Sequence, residues 1–364
     1  MHINHRFGLR RLLAGVAALG LGLTLAACGD DSGASGADGG SVGVALITKD
    51  SVNPFFVAMQ NGAKKAAAEA GVDLTLAAGA EDGDEEGQIQ AIEEAVARGD
   101  KGILITPNGP GVNNAIKQAR DAGLFVIALD TPPDPADTVD ITFATDNYLA
   151  GQLIGQWTAG TLAGKPAHIA LLDLFNDKVV TVDYNRDQGF LDGLGIDVAD
   201  PHVNGDEAAS GSYTAGNGGD YTIVCNEPTG GNSDGGRTAM ETCLSKGQDI
   251  NVVYTINEPA AVGAYTALKA VGKEKGVIIV SVDGGCAGVA SVKEGVIGAT
   301  SQQYPLKMAS MGVEAIAKLV ADGSKPSVSA GLDFFNTGVN LVTDHPVAGV
   351  DSIDTTEGTS GCWG

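Results

Sequence analysis

The 364-residue sequence has few of the side chains that build reactive or metal centres. There are five histidines, two of them (His2 and His5) at the extreme N-terminus, and five cysteines with no Cys-x-x-Cys pair, so a structural zinc site has no scaffold. The His-Glu-x-x-His signature of zinc hydrolases is absent, and no Gly-x-Gly-x-x-Gly follows the first strand-like run, which removes the usual dinucleotide cradle. Aromatic residues make up only 5% of the chain. No apolar run reaches the ~20 residues that cross a bilayer; Leu12 to Leu25 is too short to do so comfortably. Basic residues are scarce too. The 22 Lys and Arg face 45 Asp and Glu, and the formal charge of −23 repels phosphate backbones, which argues against a nucleic-acid partner.

Glycine is abundant, with 53 residues against an average share of ~7%, which suits many tight turns between short alternating elements. With 43% hydrophobic residues the chain is long enough to bury two compact cores. The first residues read as an export leader: Arg6, Arg10 and Arg11 without an acid, the run Leu12 to Leu25, then Leu25-Ala26-Ala27-Cys28. The segment resembles a lipoprotein signal peptide of residues 1–27, which implies that Cys28 becomes the lipidated first residue. Its removal makes the chain three charges more negative. Gly29 to Gly40 carries no apolar pattern, so residues 28–41 are expected to form a flexible tether. Cys225, Cys243, Cys286 and Cys362 remain, an even number in an exported protein. Three pairings are open. The local pair Cys225–Cys243 brackets a Gly-rich segment, and Cys286–Cys362 would tie down the C-terminal tail, so this arrangement is favoured.

From Val42 onward, short β-branched runs alternate with helical patterns, the signature of α/β folds with parallel sheets. Strands are expected at 42–47, 72–77, 102–105 and 125–129, with helices at 54–70, 88–98 and 112–122 between them. A further strand is expected at 141–145, and after it a second set with strands at 168–172, 221–224, 252–256, 278–282 and 297–300, and helices at 148–162 and 185–194. Asn204 to Asp220 reads as a long surface excursion. One acidic stretch nearly spells a calcium loop: Asp82-x-Asp84-x-Glu86-Gly87, then Glu93. Glu86 stands where Asp or Asn belongs, and a strand precedes it, so it is read as an acidic loop entering an amphipathic helix.

In open parallel sheets, ligands bind beyond the carboxyl ends of the strands. Polar residues at those places are Thr48, Asn53, Thr106, Asn108, Asp130, Asp173, Asn257 and Asp283. Carboxylates and amides there suit vicinal hydroxyls, Arg186 can donate as a fork, and an aromatic ring covers the C–H face of a sugar. Singly, each such Asp or Asn is as well explained as a turn former or helix cap.

Together the motifs are more specific. Asn53-Pro54-Phe55-Phe56, Ile127-Ala128-Leu129-Asp130, Thr145-Asp146-Asn147, Asn185-Arg186-Asp187-Gln188-Gly189-Phe190, Asn257-Glu258-Pro259, Val282-Asp283-Gly284 and Gln303-Tyr304-Pro305 resemble, in order, the ribose-type periplasmic sugar-binding proteins of bacterial ABC importers. Within them, Tyr254 to Ala261, Ser281 to Gly288, Gly295 to Met308 and the Cys362-Trp363-Gly364 end are most similar to the fructose-binding members. The resemblance implies two doubly wound parallel-sheet lobes joined by a three-segment hinge. The first lobe would comprise residues 42–144 plus 304–332, the second 145–303 plus 333–364. It implies that Asn53, Asp130, Arg186, Asn257, Asp283 and Gln303 hydrogen-bond a monosaccharide while Phe55 or Phe56 packs on its ring, with Thr106 as a further strand-end hydroxyl. Two departures stand out. Thr131 occupies the position of an arginine, and Gly230 to Gly236 lacks the aromatic of the second lobe, for which Phe175 or Tyr184 are substitutes. These departures disfavour ribose and leave room for a ketose such as fructose.

The implied protein is a monomeric, lipid-anchored receptor on the outer side of a cell membrane. It hands its ligand to a permease driven by a cytoplasmic ATPase, and it has no catalytic residue, metal or cofactor. The alternatives are a sensor presenting sugar to a membrane receptor, a carbohydrate-active enzyme on the same fold, and a structural lipoprotein.

Overall fold

A computed structural model describes residues 41–364. The expected leader, the lipidation site Cys28 and the tether up to residue 40 lie outside the described residues.

The chain opens with β1 (Val42–Thr48), α1 (Pro54–Ala70), β2 (Val72–Ala78), α2 (Glu85–Arg98), β3 (Gly102–Ile105), α3 (Asn113–Asp121), β4 (Phe125–Leu129) and β5 (Ile141–Ala144). Local chemistry sets several of these limits. Asn53 accepts from the Phe55 N–H at the start of α1, Pro54 sits where no donor is needed, and Gly71, at φ 67°, ends the helix in a conformation that penalises side chains. Asp84 caps α2 in the same way through Gly87 N. The calcium-like acidic stretch is therefore a helix start, and its Asp84 oxygens are taken by the backbone N–H groups of Ala80 and Gly87.

There follow α4 (Asn147–Leu162), β6 (Ala167–Asp173), α5 (Thr181–Leu194), β7 (Ser210–Tyr213), β8 (Gly219–Pro228), α6 (Ser233–Lys246), β9 (Val252–Thr255), α7 (Glu258–Ala270), β10 (Ile278–Asp283), α8 (Cys286–Lys293) and β11 (Ala299–Gln302). The chain ends with α9 (Pro305–Asp322), β12 (Phe335–Asn336), β13 (Asn340–Val342) and α10 (Thr355–Gly361).

Two sheets result. The first has the order β12-β5-β4-β3-β1-β2 and is parallel throughout. The second runs β13-β11-β10-β9-β6-β8-β7, with antiparallel pairing only at its two edges. Each contains the same doubly wound order, reversing between β1 and β3 in the first and between β6 and β9 in the second, so each has a crevice at that switch point. Helices α1 and α9 cover one face of the first sheet, and α2 and α3 the other. In the second, α4 and α5 lie on one face and α6, α7 and α8 on the other. The chain passes between sheets three times, at residues 144–147, 302–305 and 336–340.

Four features depart from the sequence reading. The first sheet's last strand, Phe335–Asn336, pairs with Phe143–Ala144, so the return to the first lobe extends past the expected division at 332. Helix α5 begins four residues early, at Thr181, because Val180 makes no side-chain cap and leaves no signal. The 204–220 excursion contains a strand, β7, which forms a hairpin with β8. Asn217-Gly218, with Gly218 at φ 66°, is the turn signal that marks it. Finally, glycine does more than make turns. A Cβ at Gly155 would stand 2.2 Å from Phe190 O, and one at Gly193 2.3 Å from Gln152 O, so α4 and α5 touch backbone to backbone.

Both favoured cysteine pairs are disulfides, Cys225–Cys243 and Cys286–Cys362.

Candidate functional site

The site lies where the strand ends of the two sheets face one another. Asp130 follows β4 in the first lobe, and Asp283 ends β10 in the second. Among the described residues only three non-glycines have positive φ: Ala163 and these two aspartates, at 64° for Asp130 and 148° for Asp283. Such backbone costs about 1–3 kcal/mol and persists where surrounding structure enforces it, which is common at ligand sites.

Arg186, on α5 and 5% exposed, joins the two. Its Nε donates to Asn147 Oδ1 at 2.8 Å and its Nη1 to the Ile256 carbonyl at 3.1 Å, which fixes the guanidinium plane. Nη2 then lies 3.4 Å from Gln303 Oε1 and 3.6 Å from Asp130 Oδ1. Gln303 returns the connection through Nε2 to Asp283 Oδ1 at 2.9 Å. Asp283 Oδ2 accepts from Glu258 N at the start of α7. Four expected ligand residues, Asp130, Arg186, Asp283 and Gln303, thus form one buried network. Asp130 Oδ1 makes no hydrogen bond and is buried, an acceptor held ready.

Asn257 lies beside this network as the N-cap of α7, accepting from Ala260 N and donating to Gly231 O. Of these bonds, the one from Ala260 N is its capping role. Asn53 is half-buried and caps α1. Phe55 and Phe56 are both buried in the first-lobe core, edge to face with ring centroids 5.4 Å apart. Thr106 is turned away: its hydroxyl meets Met59 Sδ at 3.6 Å and none of the network groups. Thr131 is buried, and its hydroxyl donates to Asp130 Oδ2 at 2.9 Å, so it holds the carboxylate that the expected arginine would have flanked.

The sequence reading missed two polar residues. Lys49, immediately after β1 and 2% exposed, stands 3.4 Å from Asp82 Oδ1. Asp82, part of the calcium-like stretch, reaches across to the second lobe. A Cβ at Gly231 would lie 3.1 Å from Leu174, 3.2 Å from Asn257 and 3.4 Å from Asp82, so these three converge where the lobes meet. Position after a strand at the switch point was the available signal for Lys49; Asp82 had none, because its loop is brought in by folding. Leu174, not an aromatic, occupies this corner of the second lobe. Phe175 packs beside Gly83 and Lys178, while the Tyr184 ring packs on His202. The lobes also meet at Lys178 Nζ, which donates to Gly83 O at 3.0 Å, and at Thr181 Oγ1, which donates to Pro132 O at 2.5 Å.

Burial dominates the electrostatics. It raises Asp283 to about 6, against the pull of Arg186, and it raises Glu258 to about 8, with the neighbouring Asp283 charge adding to the effect. Asp183 is raised to about 6 by burial, opposed by its bonds from Leu174 N and Phe175 N. Burial likewise pushes Asp173 and Asp187 well above the carboxylate range, each reinforced by neighbouring acids.

One surface turn carries a catalytic pattern. Gly231-Asn232-Ser233-Asp234-Gly235 spells Gly-x-Ser-x-Gly, the pattern of a nucleophile elbow. Ser233 is exposed at the start of α6 behind the Asn232 cap, and among the described residues no histidine hydrogen-bonds to it. Among the described residues, no group of three or more His, Cys, Asp or Glu is arranged to hold a metal.

A two-lobed α/β receptor with polar strand ends enclosed between its sheets is the architecture of a binding protein. Residues 44–325 match the periplasmic binding protein domain, and the chain belongs to that family, one of extracytoplasmic binding proteins. Its sequence is 28% identical to the ribose import binding protein of Salmonella typhimurium over 291 residues, 80% of this chain and 88% of the relative. It is also 28% identical to the galactofuranose-binding protein of Escherichia coli, over 73% of this chain and 78% of that protein. Among solved structures, a galactofuranose-binding protein superposes with a TM-score of 0.70 at 24% identity, covering 88% of this chain and 97% of the other. A myo-inositol-binding protein from Caulobacter gives 0.69 at 22% identity, covering 84% and 94%.

Proposed function

We propose that this protein captures a monosaccharide, with D-fructose favoured, between its lobes and delivers it to an ABC permease while anchored to the membrane through lipid on Cys28. The observation that carries this reading is the buried Asp130–Arg186–Gln303–Asp283 network, which spans both lobes and leaves Asp130 Oδ1, 3.6 Å from Arg186, without a hydrogen bond. A neutral polyol suits it. Each carboxylate accepts from hydroxyls, the arginine donates to others, and a guest touching both lobes favours the closed form through its differential affinity for it. Relatives named for ribose, galactofuranose and ribose/allose binding support a furanose- or pyranose-sized guest. Thr131 stands where the resemblance places an arginine, and Gly230 to Gly236 lacks an aromatic, which supports a guest other than ribose.

A thermal-shift screen with D-fructose, D-ribose, D-xylose, D-galactose and myo-inositol, followed by calorimetry of each hit, tests the binding. A panel in which no sugar raises the melting temperature refutes it. Metabolic labelling with a palmitate analogue tests the anchor: the label enters the parent chain and is lost in Cys28→Ser. Uptake of the bound sugar, abolished on deletion of this gene and restored by complementation, tests delivery.

A further inference from the structure

Trp363 is shared between the lobes. Its neighbour Cys362 is disulfide-bonded to Cys286 at the start of α8, and its carbonyl accepts from Cys286 N at 2.9 Å, so its backbone belongs to the second lobe. Its indole does not. The ring is 5% exposed and lies in the first-lobe core, edge-on to Phe55 with centroids 5.3 Å apart at 77°. Nε1 donates to the Gln303 carbonyl at 2.9 Å, at the second crossing between the sheets. The same ring covers Gly285, where a Cβ would stand 3.4 Å away, two residues beyond Asp283.

One indole therefore backs three places that the proposed ligand depends on: the Phe55 ring, the Gln303 backbone from which the side chain reaches Asp283 and Arg186, and the turn that follows Asp283. The turn has its own brace. Glu258 accepts from Gly284 N at 2.9 Å, Gly285 N at 3.1 Å and Thr300 Oγ1 at 2.9 Å. The indole thus packs against a fixed surface. Opening of the lobes has to break or slide the Phe55 contact, because that contact joins a first-lobe helix to a residue bonded to the second lobe.

We propose that Trp363 is a positioning residue of the ligand site, registering Phe55 against Gln303 and Asp283, and that the Cys286–Cys362 disulfide keeps it there, so that loss of the disulfide weakens ligand binding. The proposal rests on the sugar-binding reading and concerns the same site. Without the disulfide the Cys362–Trp363 segment loses its covalent tie to α8, and the indole is delivered to its seat only part of the time.

The sequence contains two tryptophans, and the other, Trp157, is in the second-lobe core with Nε1 bonded to His345 O. Trp157→Phe therefore makes Trp363 the sole indole and a spectroscopic probe. Calorimetry on the full-length parent first identifies which of D-fructose, D-ribose, D-xylose, D-galactose and myo-inositol binds. If none does, the sugar-binding reading falls before any variant is made, and the proposal falls with it. With a binding sugar in hand, its addition to W157F shifts the Trp363 emission. Trp363→Leu raises its Kd at least tenfold. Trp363→Phe, which keeps a ring on Phe55 and loses the bond to Gln303, falls between. Removing both Cys286 and Cys362 as serines raises Kd by itself and adds little on top of W363L. A Kd within twofold of the parent in W363L, with Trp363 emission unmoved by the sugar, overturns the proposal. If W363L does not fold, the double-serine protein decides: an unchanged Kd there overturns it equally.

Discussion

Replacing Asp283 separates the site's function from its structure. The carboxylate is 4% exposed and has about four lone-pair positions. Gln303 Nε2 takes one at 2.9 Å and Glu258 N another at 3.3 Å, which leaves about two for a guest. Hydrogen bonds to a charged acceptor contribute about 1.5–3 kcal/mol each, and about 1.4 kcal/mol is a tenfold change in Kd. Loss of one raises Kd about tenfold to a hundredfold, and loss of both about a hundredfold to ten-thousandfold. The fold suffers less. Asp283→Ala orphans the Gln303 amide and one N–H of α7 but also removes a carboxylate whose ionisation burial opposes, since its pKa is raised to about 6. Asp283→Asn keeps an acceptor for Gln303 and loses the charge opposite Arg186, so it lies between. Calorimetry with the sugar found in the screen gives Kd, and thermal melts of the ligand-free proteins give the structural cost. A Kd for D283A within threefold of the parent refutes the assignment, and a collapse of the melt in both variants refutes the separation of roles.

The buried acids make a second prediction. Asp183 and Asp283 at about 6, Glu258 at about 8, and Asp173 and Asp187, raised well above the usual carboxylate range by burial, all bind protons more tightly folded than unfolded. Stability from these groups is full below about pH 4 and is lost as pH rises through 6 to 8, so the ligand-free melting temperature rises on acidification from pH 8 to pH 5; a flat or falling profile contradicts it. Lys49→Met leaves buried Asp82 without its cation and costs about 3–5 kcal/mol, part of which Asp82→Asn in addition restores, as read by denaturant melts. Gly155→Ala drives a methyl to 2.2 Å from the Phe190 carbonyl, parts α4 from α5 and costs about 2 kcal/mol or more; because α5 carries Arg186, Kd rises with it. Cys225→Ser with Cys243→Ser opens an 18-residue loop and lowers stability by about 2–4 kcal/mol without changing Kd, in contrast to the Cys286–Cys362 pair.

The sequence alone determined the elements and their alternation. Where an element is buried on one face and capped by local side chains, as in Pro54–Ala70 between Asn53 and Gly71, the information is local, and composition reveals it. Strand ends were equally legible, and with them Asp130, Asn257 and Asp283. Where structure depends on a partner distant in sequence, the chain gave no sign. The first turn of α5 is uncapped, β12 is two residues long, and Asp82 matters only because folding sets it against Gly231 of the other lobe. The resemblance supplied Arg186 and Gln303 as ligand residues, but tertiary structure alone showed that they join Asp130 to Asp283, that Thr106 faces Met59, and that a tail bonded to the second lobe places its tryptophan in the core of the first. Hydrogen bonding to near neighbours is written in a few adjacent residues; contacts across more than a hundred, such as Arg186 to Gln303, exist only once the strands and helices of the second sheet have assembled.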